Sequence, residues 1–175
     1  RDISCSDPGK SVYYSEQALI LSEKIKWQRG IMLASESIGQ INDICLNDHS
    51  SAIKYYLRSI AIAQSVSDSL VQGNIYNNIG NIYRIANKYV AALEHYKKSA
   101  DFNTNPRDKV SPISNSGVIY TNLGDYAHAL ECYEKALKIT ELLVSSSDRT
   151  KRDSLTWFGL QLTIGDVYIA MAQFE

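Results

Sequence analysis

The stretch Gly73–Ala100, GNIYNNIGNIYRIANKYVAALEHYKKSA, decides the fold. Tyr76, Ile79, Gly80 and Tyr83 fall at steps of three, one and three, which places them on one side of a helix. Ile75 and Ile82 lie on a second side, so this helix is apolar in two directions. Only the stripe Asn74, Asn77, Asn81 and Arg84 is polar along its length. A helix gripped on two flanks and free on a third suits a stacked array better than a compact bundle, whose helices bury one stripe each. Asn87 and Lys88 make a turn, and Ala92, Leu93, Tyr96 and Ser99 give the buried face of a partner helix. The unit is a helical hairpin.

Imperfect copies of it fill the rest of the chain. Upstream, Ile38-Gly39 stands 41 residues before Ile79-Gly80, Asn42 takes the place of the second tyrosine, and Asn47-Asp48-His49-Ser50 make the turn. Ala52, Tyr56 and Ser59 follow in the partner helix. Downstream, Gly117 and Tyr120 repeat Gly80 and Tyr83 after 37 residues. Leu123–Tyr126 form the turn, and Ala129, Tyr133 and Ala136 lead a helix running to about Val144. Ser111-Pro112 reads as an N-cap with proline at the first helical position; a start at Asn105-Pro106 instead would leave Pro112 to kink the helix. Ser145–Asp153 is the most polar stretch and reads as an exposed connection. Ile164-Gly165 and Tyr168 restart the pattern 48 residues after Gly117, and Phe174 would open the next partner helix. At the other end, Tyr14, Ala18, Leu21 and Ile25 share a face of a second-type helix whose first helix is missing. The expected layout is a disordered lead-in over 1–10, an orphan second helix over 11–26, repeats over 27–67, 68–104 and 105–145, and the first helix of a further repeat over 146–175. That is about seven helices, and the chain reads as an excised piece of something longer.

Ile79-Gly80 and Tyr83, followed by Ala92, Tyr96 and Ser99, match the tetratricopeptide repeat (TPR) pattern, with Tyr76 where that pattern prefers Trp. The chain resembles this family from Ser11 to Phe174. The resemblance implies an all-α fold, an α-solenoid of antiparallel helix hairpins wound into a right-handed superhelix. The spacings exceed the 34 residues of the standard repeat and resemble the longer variant of kinesin light chains and bacterial signalling proteins. Gly39, Gly80, Gly117 and Gly165 all sit mid-helix, where glycine costs about 1 kcal/mol against alanine. Close approach of the partner helix explains the recurrence, with Ala52, Ala92 and Ala129 as its matching small residues.

Composition narrows the function. At 175 residues the chain is long enough for a substantial core, and a net charge of -1 gives no basic field for nucleic acid or an anionic membrane. No apolar run approaches the roughly 18 residues of a membrane span. Three cysteines, Cys5, Cys45 and Cys132, cannot all pair, so no disulfide framework is expected and a reducing, cytoplasmic compartment is favoured, with a periplasmic sensor segment as the alternative. Nothing resembles a nucleophile–base pair, a phosphate-binding loop or a carboxylate pair, so no enzymatic activity and no cofactor is expected. His128 and Cys132 are four apart, with His95 one repeat earlier, but no fourth ligand completes a zinc set. Asp108, Asp148, Arg149 and Arg152 read as solvated loop charges. The recurring tyrosines Tyr56, Tyr96, Tyr133, Tyr83, Tyr120 and Tyr168 read as core with hydroxyls at the rim.

The free stripes of the first helices are where a partner would bind. Counted from each glycine, they comprise Asn74, Asn77, Asn81 and Arg84; Leu33, Glu36, Gln40 and Asp43; Ser111, Ser114, Val118 and Thr121 with Asn122 beside it; and Gly159, Leu162, Asp166 and Ile169. Asparagine offers donor and acceptor together, which suits the backbone of an extended peptide, and the resemblance implies this use on a concave face. Glu36, Asp43 and Asp166 disfavour the acidic C-terminal ligand that chaperone-binding members hold in a basic clamp. The expected function is a peptide- or protein-binding scaffold; the rival reading is a sensory segment of a histidine kinase, cyclase or transcription regulator. Apolar flanks at Tyr13, Leu19, Val167 and Met171 add an expectation of self-association.

Overall fold

The computed structural model describes residues 5–173, and every regular element among them is a helix. These are α1 (Pro8–Lys24), α2 (Gln28–Ile44), α3 (His49–Ser65), α4 (Ser69–Ile85), α5 (Tyr89–Phe102), α6 (Pro106–Asn122), α7 (Tyr126–Val144) and α8 (Lys151–Ala172). The count is eight rather than about seven, because three hairpins supply two helices each beside the lone α1 and α8. The fold is all-α, a helical repeat of the hairpins α2–α3, α4–α5 and α6–α7. Two compact units form, one up to Ile75 and one from Tyr76, with the boundary inside α4.

The hairpin turns share one geometry. Lys26, Asn47, Ser67, Asn87 and Gly124 each adopt a positive φ between 52° and 73°. The next residue then sends its N–H back five positions, as in Trp27 to Ser22 (2.8 Å), Asp68 to Ala63 (2.8 Å) and Lys88 to Tyr83 (2.8 Å), or six in Asp48 to Asn42 (2.9 Å). This C-terminal motif satisfies carbonyls that the helix leaves open. Asp48 and Asp125 at once cap the following helix through Ser51 N and His128 N. One short turn therefore ends one helix and starts the next.

Three boundaries differ from expectation. α1 starts at Pro8 instead of Ser11, because Asp7 caps it by accepting from Lys10 N at 3.0 Å; residues 1–4 lie outside the described residues. α6 starts at Pro106 with Asn105 as its cap, so Ser111-Pro112 is interior. Proline has no N–H for the Asp108 carbonyl one turn back. The buried Asn103 side chain supplies the missing donor, its Nδ2 reaching Asp108 O at 3.2 Å. Finally, the connection after α7 is not solvated throughout. Asp153 is buried within α8 and forms a capping box with Thr150. Arg107 reaches from α6 to grip Asp153 at 2.9 and 3.1 Å, and also holds Asp148. Asp108 lies within α6 rather than in a loop.

Each hairpin closes on a glycine and a tyrosine. A Cβ built on Gly39, Gly80 or Gly117 would stand 2.6–2.7 Å from the ring of Tyr56, Tyr96 or Tyr133 respectively. The alanines expected as close partners are buried, and the Ala52 carbonyl lies 3.3 Å from the position a Gly39 Cβ would take, but the ring is what forbids a side chain. Gly165 does not follow suit: nothing lies within 4 Å of its Cβ position. The ring in the other three comes from the following helix, and no helix follows α8 among the described residues. Tyr168 is exposed rather than core for the same reason. Phe174 lies outside the described residues.

In the first unit Leu19, Ile31, Ala34 and Ile38 form a core cluster; in the second, Val110, Ala129, Tyr133, Ala136, Leu160 and Val167 form another. Leu19 and Val167 are therefore buried, not available for self-association; the large exposed apolar residues of α1 are Tyr13, Tyr14, Ile20 and Leu21, with Ile25 just after it. Cys5 and Cys45 form a disulfide, contrary to the expectation from cysteine number, tying the segment before α1 to the end of α2. Cysteine usage thus no longer favours a reducing compartment.

Candidate functional site

The polar stripes occur on the first helices as expected, in two separate groups. On α2, Gln40 donates to Glu36 at 3.3 Å. Asp43, half-buried near the end of α2, lies 3.2 Å from His49 and beside the Tyr56 hydroxyl. Burial raises its carboxyl pKa, with His49 and Tyr56 acting in the opposite sense.

In the second unit Asn77 and Asn81 are half-buried and joined to α6. The Nδ2 group of Asn115 donates to Asn77 Oδ1 at 3.1 Å and to Asn81 Oδ1 at 3.2 Å. Asn81 Oδ1 also accepts from the Tyr96 hydroxyl at 2.7 Å. Tyr96 is buried and keeps its proton, because burial raises its pKa against the pull of the Arg84 guanidinium. The Nδ2 groups of Asn77 and Asn81 keep no hydrogen-bond partner among the described residues. Asn115 was absent from the sequence-derived stripe because it sits two positions before Gly117, off the counted pattern. The one signal for it is Asn78, two positions before Gly80.

The remaining candidates divide. Thr121 Oγ1 bonds Gly117 O at 3.0 Å and lies 3.3 Å from the Tyr133 hydroxyl, so it belongs to the same scheme as Asn81. Ser114 turns back onto Val110 O within its own helix. Asn74 and Asn122 are exposed, as are Leu33, Ser111, Gly159, Leu162, Asp166 and Ile169, while Val118 packs against a core cluster. A cleft of about 570 Å³ opens between α5, α6 and α7 over Leu93, Pro112, Ile113 and Cys132. Charges of both signs surround it, and burial and Glu131 raise the Cys132 pKa, which keeps this thiol protonated and unreactive. His95 packs at a tilt against Tyr83, and His128 stacks on Tyr120. Among the described residues no three His, Cys, Asp or Glu gather to hold a metal, and no helix is long and apolar enough to cross a membrane.

Against known proteins, the tetratricopeptide repeat family matches residues 32–105 and again 114–139. Photosystem I assembly protein Ycf3 of Prochlorococcus marinus (strain MIT 9303) is 31% identical over 72 residues, 41% of this chain and 42% of that protein. Its counterpart from strain MIT 9211 is 38% identical over 66 residues, 38% of each. The chain thus spans about two fifths of the length of these relatives. In fold it is similar to the crystal structure of BtubC (BKLC) from P. vanneervenii, with a TM-score of 0.81 at 18% identity over 97% of this chain and 68% of that one. The repeated glycine–tyrosine hairpins and these matches lead to one conclusion: the chain belongs to the tetratricopeptide repeat family.

Proposed function

We propose that this chain is a non-catalytic scaffold that holds an extended segment of a partner protein against the face shared by α4 and α6. The observation that carries the reading is the asparagine trio. Asn77, Asn81 and Asn115 are tied to one another through their oxygens and one amide, yet retain donors and an acceptor for a ligand. Asparagine has low helix propensity, so three of them in helix interiors answer to something other than helix formation. A peptide backbone is the complementary group, because it offers carbonyls and N–H groups at regular intervals whatever its side chains. The sequence relatives named above are photosystem I assembly proteins, and a role in assembly is compatible with such a scaffold.

Alanine at both Asn77 and Asn81 tests the reading. Binding of a peptide selected on the wild-type chain should weaken by on the order of tenfold to a hundredfold, with helix content unchanged by circular dichroism. Unaltered affinity would remove this face from consideration.

A further inference from the structure

We infer that Tyr96 is a positioning residue that fixes the hydrogen-bond polarity of the peptide-binding face, so that α4 presents amide donors and α6 an amide acceptor. This rests on the peptide-binding reading above and assigns the kind of group it selects.

Three tyrosines stand at the same place in successive hairpins, each with its ring over a glycine and its hydroxyl at the polar stripe. Tyr56 meets Asp43, Tyr96 meets Asn81 and Tyr133 meets Thr121. Only in the central hairpin does the partner have two orientations of different chemistry. An ionised aspartate accepts whichever way it turns and a threonine hydroxyl rotates, but an asparagine presents either its oxygen or its amide.

The choice at Asn81 is made from beneath. The positive Arg84 guanidinium acts on the Tyr96 hydroxyl, and a cation draws the oxygen of that group rather than its proton. The hydroxyl proton is then directed at Asn81, which must answer with Oδ1, at 2.7 Å. Asn115 adds its own amide to that oxygen and to the oxygen of Asn77. With both oxygens engaged, Asn77 and Asn81 have Nδ2 left for a ligand, and Asn115 has Oδ1. An extended peptide meets this pattern, with carbonyls toward α4 and an N–H toward α6. A carboxylate meets it poorly, because it carries no donor for Asn115.

The variant Tyr96→Phe keeps the ring over Gly80 and removes only the hydroxyl. In the unliganded chain, the side-chain amide signals of Asn77, Asn81 and Asn115 should move in a nitrogen–proton NMR spectrum, while those of Asn74 and Asn78 stay. Affinity for a short C-terminally amidated peptide, selected on the wild-type chain, should fall by on the order of tenfold, without loss of helix content. Asn81→Asp, which offers only acceptors, should lose at least as much. Wild-type affinity in Tyr96→Phe alongside weakened binding in Asn81→Asp would overturn the positioning role and leave the binding face standing. Wild-type affinity in both would overturn the face itself. Tighter binding when the peptide's terminal amide is exchanged for a free carboxylate would overturn the assigned polarity.

Discussion

A methyl group added at Gly80 would meet the Tyr96 ring at 2.6 Å, whereas one added at Gly165 would meet nothing within 4 Å. Buried rings packed at crystal density give way poorly. Gly80→Leu should therefore destabilise the chain by about 1–3 kcal/mol through overpacking. Gly165→Ala should stabilise it by about 0.5–1 kcal/mol, since a mid-helix glycine with open space around it only loses backbone entropy. Thermal melts of the two variants should shift in opposite directions; a shift of the same sign would break the link between glycine and tyrosine. Gly124 is a different case, because its φ of 73° is a left-handed conformation that the turn requires. The sequence shows all four repeat glycines but not what faces them. A small residue opposite each is the natural first reading of helices in close approach. The actual contact is an aromatic ring from the partner helix, a packing detail that periodicity does not encode.

At the scale of the helix, α6 shows how an apparent fault is repaired from outside. Pro112 leaves the Asp108 carbonyl without its helical donor, and Asn103 replaces it from beyond the helix start. Asn103→Ala should destabilise by about 1–3 kcal/mol, the range for a buried group stripped of its partner. In a Pro112→Ala background, where the helix has its own N–H again, the same change should cost less; a double-mutant cycle in urea measures the difference. Ser-Pro is also a common helix opening, so local pattern left two starts for α6, and a side chain several residues upstream decided between them. α8 is anchored to the same helix by Arg107, whose guanidinium, with the Thr150 backbone, holds Asp153 down from an ordinary 3.8 to about 2. A depressed carboxylate adds stability that is complete above its unfolded value and lost as pH falls through its folded one. Stability should therefore decline between about pH 4 and 2, and Asp153→Asn should flatten that part of the profile in denaturant midpoints.

Taken whole, the molecule is a repeat array whose parts answer separately to perturbation. The Cys5–Cys45 bridge closes a separation of 40 residues, a loop for which reduction should cost about 2–4 kcal/mol. The loss should appear as faster hydrogen exchange in α1 and α2 with little change in α7 and α8; equal loss throughout would contradict a local clip. Sequence made the hairpins, their order and the polar stripe of α4 legible, because each is written as a period along one helix. It left out Asn115 and the partners of the tyrosine hydroxyls, because these join neighbouring helices, and a register between helices has no signature within either. The bond from Asn115 to Asn77 and Asn81 makes the proposed binding face a property of the packed array rather than of one repeat. Mapping a selected peptide by NMR on the wild-type chain tests that most directly. The account predicts the largest changes at the side-chain amides of Asn77, Asn81 and Asn115. Changes centred instead on the cleft of Leu93, Pro112, Ile113 and Cys132, with the three asparagine amides unmoved, would contradict it.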